Sequence, residues 1–307
     1  MIIYQPSPAN LKITFRDNMD SWRYYNYALL PNTPPHVPVD MSIFKKKCFW
    51  RKFNKKGKKT LLARYTSNYD CKFETDWWFC VLDKPFDISE LNANRRRKIN
   101  LGNKKFKVCI INPKHYAEAL SDILIAANAD YPKVNQLQLK RNNLINGFKN
   151  EMQENIIFYG AFSKEKENLC GYTVIKEYNS YIYLSTHKVI PEYEKLNINA
   201  ALIYKIITDY NSRLSNDFYI TDGERNILHI TEFQTYLEKY FNFRKAYCYL
   251  NIKYRTYFKM FIVLLFPLKK VFKRLRLKNK LMIQIYGLLQ MEEIVRKQLK
   301  DEKKKYE

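Results

Sequence analysis

Glycine, histidine and paired cysteines are scarce in this sequence. It has 7 glycines and 4 histidines in 307 residues, and no stretch reads as GxGxxG or as a P-loop. The 6 cysteines form no CxxC pair, and no histidine stands at zinc spacing from them. We therefore expect no metal site. Because several cysteines lie in apolar runs, we expect buried free thiols in a reducing cytosol.

Long apolar runs are missing too. The longest covers residues 260–266, far fewer than a helix needs to span a bilayer. The N-terminus has no basic segment followed by an apolar stretch, which is the mark of a signal peptide. The sequence therefore predicts a cytoplasmic protein.

Acidic residues are few in relation to basic ones. The chain has 30 Asp and Glu against 54 Lys and Arg, a net charge of +24. This surplus favours nucleic acid, anionic lipid or a phosphorylated substrate as partner, although a lysine-rich composition alone also produces it. The hydrophobic fraction of 46% and the aromatic fraction of 16% predict a folded chain with a full core.

Residues 181–210 change their period in mid-course. The first third alternates from residue to residue, which is the period of a strand. From Ile198 to Tyr210 the apolar residues recur at helical spacing, and a short loop, 191–197, joins the two parts. A strand, a tight loop and the start of a helix make a place where backbone N–H groups can hold phosphate.

This loop carries a family resemblance. Residues 191–203, PEYEKLNINAALI, resemble the pyrophosphate loop and following helix of the GNAT superfamily of acyl-CoA N-acyltransferases. Glu194 stands where that family has Arg or Gln, and Asn197 and Asn199 stand at its two glycine positions. Asn tolerates positive φ, so the loop shape can persist. The resemblance implies acetyl-CoA or another acyl-CoA as the donor, with backbone N–H groups of Val189 and Ile190 polarising the acyl carbonyl. The remaining cofactor contacts that it implies are Leu196, Asn197, Ile198, Asn199 and Ala200.

The order of elements around the loop is similar to that of GNAT proteins. Residues 105–257 read as strand, two helices, a three-strand meander, helix, strand, helix and strand. The resemblance implies an α+β fold with a mixed, mostly antiparallel central sheet flanked by helices. It divides the chain into an N-terminal α/β extension or partial second module (1–104), a GNAT-like domain (105–257) and a basic, amphipathic helical tail (258–307).

A second resemblance concerns residues 90–108, ELNANRRRKINLGNKKFKV. This run is similar to the one that closes the first domain of Fem-type aminoacyl transferases, which are built from GNAT-like modules. The similarity implies an acyl group carried by tRNA and an acceptor linked to a membrane.

Three ionisable residues are candidates for the base that deprotonates an amine acceptor. His187 lies late in the central strand, and Asp222 and Glu224 lie just past the next one; in the fold that the chain resembles, these strand ends meet near the acceptor. Alternatively, His187 is a partly buried histidine hydrogen-bonded to the sheet, and 222–224 is a simple turn. Glu238 stands where the family often has a Tyr general acid, so that role is not carried over.

Two basic regions each have two interpretations. Residues 41–60 mix cations with aromatic residues, which is typical of nucleic-acid contact or, as we favour, of a strand or hairpin whose alternate residues are core. Residues 258–280 fit an amphipathic segment on an anionic membrane surface, or helices packed on the domain or on a partner chain.

Three functions stay open at this stage. We favour an N-acyltransferase that moves an acyl group from acyl-CoA to an amine of a small molecule or amino sugar. The second is a Fem-like, aminoacyl-tRNA-dependent transferase at the inner face of the membrane. The third is a GNAT-fold binding module without catalysis.

Overall fold

The computed structural model describes residues 22–25, 27–45, 49–52, 59–133, 136–151, 153–227, 232–275 and 280–306. They form two compact units. The first contains residues 80–223 and 232–244, and the second contains the described residues of 22–79, 224–227 and 245–306. The sequence predicts three continuous segments, 1–104, 105–257 and 258–307. Each of the two units instead combines several separate stretches of the chain. The segments therefore remain predictions.

Eleven strands and nine α-helices are present in the described ranges. The strands are β1 Trp22–Tyr25, β2 Ala28–Pro31, β3 Leu62–Ser67, β4 Trp78–Leu82, β5 Phe106–Ile111, β6 Ile156–Ser163, β7 Leu169–Glu177, β8 Tyr181–Val189, β9 Tyr219–Glu224, β10 Arg244–Tyr247 and β11 Tyr249–Tyr254. The helices are α1 Phe49–Lys52, α2 Ala93–Lys105, α3 Ala117–Ala129, α4 Arg141–Lys149, α5 Ile198–Tyr210, α6 Glu232–Phe241, α7 Thr256–Leu265, α8 Lys269–Leu275 and α9 Lys280–Tyr306.

A seven-stranded sheet has the order β10-β4-β9-β8-β7-β6-β5. Strands β5 to β8 pair antiparallel in succession, while β8 and β9 pair parallel. This is the mixed, mostly antiparallel sheet flanked by helices that the sequence predicts, and the α+β, GNAT-like fold class is confirmed. The large core on one face of the sheet includes Ile182, Leu184, Ile203 and Ile207, so the apolar face of α5 closes that side.

Strands β8 and β9 run together for only a short distance. Their parallel register covers Tyr181–Tyr183 against Tyr219–Thr221, whereas β8 itself continues to Val189. On its other side, β8 follows β7 to Val189, with a bulge at Ser185 where the register shifts. Strand β8 therefore stays with β7, and its pairing with β9 ends after Tyr183. We call the region between residues 184–189 of β8 and the end of β9 the gap.

Helix α2 crosses the first turn of α5 at close range. A Cβ atom on Gly102 would lie 2.5 Å from the carbonyl oxygen of Asn197 and 3.1 Å from the amide nitrogen of Ala201. Real Cβ atoms do not approach backbone that closely, so only glycine allows this crossing. Helix α2 is therefore held against the loop that precedes α5.

The second unit contains a four-stranded sheet of order β1-β2-β3-β11. Trp22, Leu29, Phe49 and Ala63 form its aromatic-rich core, with Trp22 edge-on to Phe49 at 5.7 Å between ring centroids. A second cluster joins Leu62 to two residues of α7, Phe258 and Ile262. Helix α9 contributes the buried side chains of Tyr286, Leu289 and Ile294.

Several sequence expectations need correction. Residues 41–45 form a 3-10 turn and residues 49–52 form the short helix α1 rather than a strand or hairpin, although the aromatic residues there are core as expected. Residues 46–48 and 53–58 of this region lie outside the described residues. The final strand in the element order predicted for 105–257 is two strands, β10 and β11, in different sheets. Helix α2 begins at Ala93, because Asp87 caps only a 3-10 turn and Asn92 accepts the α2 cap bond from the amide of Arg95.

Candidate active site

His187 lies in the part of β8 that has separated from β9. Its Nδ1 is 2.7 Å from the hydroxyl of Thr173, and its Nε2 is 2.9 Å from Oδ1 of Asn199. With Asn199 accepting, Nε2 carries the proton and Nδ1 accepts from Thr173. The ring also stacks on Phe233 at 4.8 Å. Burial lowers the pKa of His187 to about 4, so the imidazole is neutral at pH 7.

Asp222 lies near the end of β9, one residue beyond the last pairing with β8. Burial raises the pKa of Asp222 to about 7, and a hydrogen bond with Gln234 opposes that rise. Residues 233 and 234 of α6 thus contact His187 and Asp222 respectively. The start of α6 therefore links the two predicted site residues.

Glu224 belongs to the second unit and has a different environment. Its carboxylate forms an ion pair with Arg64 of β3, whose guanidinium also lies 5.5 Å from the centre of the Trp77 ring. This carboxylate is therefore held by a cation, unlike that of Asp222.

The pairing of β8 with β7 fixes the direction of the backbone N–H groups of β8. The amide of Ile190 donates to the carbonyl of Cys170 at 2.9 Å, so these two residues form a hydrogen-bonded antiparallel pair. The adjacent pair, Gly171 with Val189, is then a non-hydrogen-bonded pair, and Thr173 with His187 is another. The N–H groups of Val189 and His187 consequently point away from β7, toward the side on which β9 has left.

The loop before α5 keeps the predicted shape. Residues Pro191–Leu196 form a 3-10 turn, and Asn197 adopts the left-handed conformation with φ of 65°. The N–H of Asn197 is used within the turn, where it donates to the carbonyl of Glu194 at 3.0 Å. Asn199 is joined to His187, while Ile198 and Ala200 are buried in the core and Leu196 packs against it.

The electrostatics of this loop are acidic. Burial raises the pKa of Glu194, and the carboxylates of Asp130 and Glu232 raise it further. A diphosphate at the loop would therefore meet negative charge instead of the Arg or Gln that GNAT loops carry. Together with the engaged N–H of Asn197 and the close approach of α2, this makes the loop a poor fit for the diphosphate of coenzyme A.

A cationic depression lies on the exposed side of α2. Its volume is about 390 Å³. It is lined by Ala93, Arg96, Arg97, Asn100, Leu101 and Lys104. The guanidinium of Arg96 is fixed by two backbone carbonyls, those of Ser89 at 2.8 Å and Leu91 at 2.7 Å. Helix α2 has no acidic residue, so this surface favours anions.

The tyrosines of α6 differ from each other. Burial raises the pKa of Tyr236, whereas the hydrogen bond from Lys98 at 2.8 Å lowers the pKa of Tyr240. Tyr240 is 8% exposed and part of the main core.

Sequence reasoning missed three contacts of this site. Thr173, Phe233 and Gln234 hold the two candidate residues, yet nothing in their local pattern marks them. Only the register of β7 against β8 and the placement of α6 bring them there. Residues 228–231, which precede α6, lie outside the described residues. In the described part of the chain, no group of His, Cys, Asp and Glu is arranged to hold a metal ion.

No family model and no curated protein matches this chain. Solved structures do match. L-PGS from Bacillus licheniformis has 10% identity, with 80% of this chain and 83% of that chain covered and a TM-score of 0.46. FemX has 8% identity, 64% and 72% coverage and a TM-score of 0.44. A GNAT-family acetyltransferase from Staphylococcus aureus Mu50 has 19% identity, 43% and 81% coverage and a TM-score of 0.33.

Both resemblances seen in the sequence, to GNAT and to Fem-type proteins, thus recur among the structural matches. The α+β fold class itself follows from the order and directions of the strands.

Proposed function

We propose that this protein is an N-acyltransferase whose reaction takes place in the gap between β8 and β9. One observation carries the proposal: the gap combines backbone N–H groups directed into it with a carboxyl group whose pKa is about 7. Acyl transfer to an amine needs these two parts, because the carbonyl oxygen gains negative charge while the amine must lose a proton.

The N–H of Val189 is the proposed donor to the acyl oxygen, because it points toward the side that β9 has left. Ile190, the other residue that the resemblance suggests, donates its N–H to Cys170 and is engaged. The amine attacks the acyl carbon, and the bond from that carbon to the leaving sulfur or oxygen breaks. Asp222 accepts the proton of the amine, and the leaving group takes a proton from solvent.

Asp222 suits this role better than His187 or Glu224. A pKa near 7 leaves a large fraction of carboxylate at neutral pH and a proton affinity close to optimal for a base. Both ring nitrogens of His187 are engaged, and Glu224 is paired with Arg64. We propose His187 as a positioning residue that ties Asn199 of the α5 first turn to Thr173 in the sheet.

The acyl donor is the second part of the proposal. Acyl-CoA is the donor that the loop resemblance suggests, but the carboxylates of Glu194, Asp130 and Glu232 disfavour its diphosphate. An aminoacyl ester carried on tRNA is favoured by the cationic surface of α2, which can contact phosphates without that loop. A small amine or amino sugar remains the proposed acceptor for the first donor, and a membrane-linked amine for the second.

Calorimetric titration with acetyl-CoA tests the first donor. Glu194→Gln removes the loop charge and should tighten any diphosphate binding, whereas Glu192→Gln removes an exposed charge from the same turn and should change little. Binding that improves only in Glu194→Gln would support a CoA site. No saturable binding in either variant would exclude acyl-CoA.

Transfer assays test the chemistry itself. Asp222→Asn should lower the turnover number by ~10²–10⁴-fold with whichever donor is active. Asp217→Asn, an exposed change shortly before β9, is the matched control. Activity of the wild type should rise through an apparent pKa of about 7 as Asp222 ionises. If the wild type transfers an aminoacyl group from charged tRNA to an amine, and Arg97→Glu slows that transfer, the second donor is favoured. Full activity in Asp222→Asn would overturn the proposed base.

A further inference from the structure

Helix α7 is apolar on two opposite sides. Phe258 and Ile262 are buried against Leu62, and Ile262 is only 1% exposed. At 100° per residue, the exposed residues Tyr257, Met260, Val263 and Leu264 fall on the far side of the helix. Phe261 lies at the edge of that side and stacks on Phe258 at 5.9 Å between ring centroids. We name these five exposed apolar residues the outer face of α7.

This outer face is strongly exposed. Leu264 is 72% exposed and Met260 is 65% exposed. A helix that is apolar all round normally has both sides covered. None of the residues described in the structure covers this side, and the exposed residues Leu268 and Val271 continue it into the next turns. An apolar surface of this kind marks a place of contact with a partner or a membrane.

The charges around the outer face identify the partner. Exposed cations flank it on α7 and α8: Lys259, Lys270, Lys273 and Arg274. The sequence from 251 to 291 contains no Asp or Glu at all. A second copy of this chain would bring cations against cations, so charge disfavours a dimer through this surface. An anionic lipid bilayer offers both an apolar interior and a negative surface.

We propose that α7 and α8 dock on an anionic lipid surface, with the outer face of α7 buried among the acyl chains and the flanking cations at the headgroups. The proposal does not depend on the transfer reaction. Among the described helices, none has the length and apolar character to cross a membrane, so the contact lies on one leaflet.

Vesicle co-sedimentation of the full chain tests this surface. The wild type should sediment with phosphatidylcholine vesicles that contain phosphatidylglycerol, far less with phosphatidylcholine alone, and less as salt rises. Leu264→Gln should lower the partition coefficient by about tenfold, since it removes one buried leucine from the contact. Ile110→Gln, an exposed apolar residue of β5, is the control and should leave it unchanged.

The charge requirement has its own variant pair. Lys273→Glu should weaken both the sedimentation with anionic vesicles and the salt dependence of this binding. Lys166→Glu, an exposed change in the β6–β7 turn, should alter neither. Equal sedimentation with both vesicle types, or no effect of Leu264→Gln, would overturn the proposal. So would a dimer in analytical ultracentrifugation that Leu264→Gln dissociates, because a second copy would then cover the outer face.

Discussion

At the scale of single residues, Asp222 links reactivity to stability. Its pKa is about 7 in the folded chain against an ordinary value of 3.8. Between these values the folded state binds more protons than the unfolded one, so the free energy of unfolding falls as pH rises from about 4 to about 7. Asp222→Asn cannot ionise and should lack this loss.

Urea unfolding of the wild type and of Asp222→Asn at pH 5 and pH 8 measures the effect. The variant should gain stability relative to the wild type at the higher pH, which reports on Asp222 without any substrate. Identical pH dependence of the two chains would show that the carboxyl group is not buried as the structure describes. Such a cost of burial is typical of functional carboxyl groups.

His187 allows a second residue-scale prediction. Its pKa is lowered to about 4 by burial, while Asn199 gives only a neutral hydrogen bond. Asn199→Asp places a carboxylate on Nε2 and should raise the imidazole pKa by one unit or more, roughly the effect of an opposite charge at contact distance. Asn199→Leu should leave the pKa of His187 low. NMR titration of the imidazole protons measures that pKa in both variants. An unchanged pKa in Asn199→Asp would contradict the contact between His187 and Asn199.

The candidate site shows which residues a sequence can reveal. His187 and Asp222 are marked by type and by their position at strand ends, so the sequence identifies them. Thr173 and Gln234 are ordinary polar residues of a strand and a helix, and they join the site only through register and packing. The engaged N–H of Ile190 follows from the same register, which residue types do not encode.

At the scale of elements, the crossing of α2 over α5 depends on one glycine. Gly102→Ala forces a methyl group against the Asn197 carbonyl and should cost ~1–3 kcal/mol. Gly147→Ala in α4 is a matched control, because nothing lies within 4 Å of its added Cβ; it should stabilise by about 0.5–1 kcal/mol. Urea unfolding gives both values, and equal effects would exclude the close crossing.

Periodicity predicted the elements well where one face is clearly apolar. Strand β7 and the strand-loop-helix from β8 to α5 lie where the sequence indicated, since alternation gives way there to helical spacing. Prediction was wrong where the period is uninformative. Small or aliphatic residues alternate with polar residues or tyrosines from 245 to 253, so nothing local shows that the chain changes sheets at Cys248. Residues 41–60 have an aromatic content that suits a strand, yet Phe44 and Phe49 pack around Trp22 from a 3-10 turn and a short helix.

At the scale of the whole molecule, the C-terminal helices are part of the fold of the second unit. Phe258 and Ile262 cover Leu62, and α9 buries Leu289. Gln298 also accepts a hydrogen bond from the amide of Leu250 at 3.3 Å. A chain that ends at Arg255 should therefore lose protection of β3 and β11 in hydrogen exchange, while β6 and β7 of the first unit serve as internal reference. Unchanged protection would make residues 258–307 a dispensable tail.

The division into units also explains the limits of sequence analysis at this scale. Strand β9 begins in the first unit and ends in the second, so Asp222 and Glu224 belong to different units although they are near neighbours in sequence. The amino-acid composition does not change at the boundary between residues 223 and 224. Only the packing of distant segments defines such boundaries.

The missing carboxylates of residues 251–291 have a consequence for regulation. The stretch contains lysines, arginines and tyrosines but no Asp, Glu, His or Cys. The residue types that ordinarily change charge near neutral pH are therefore absent from it. Attachment through α7 and α8 would respond to ionic strength and to the charge of the lipids, so control would lie with the membrane's composition rather than with the protein.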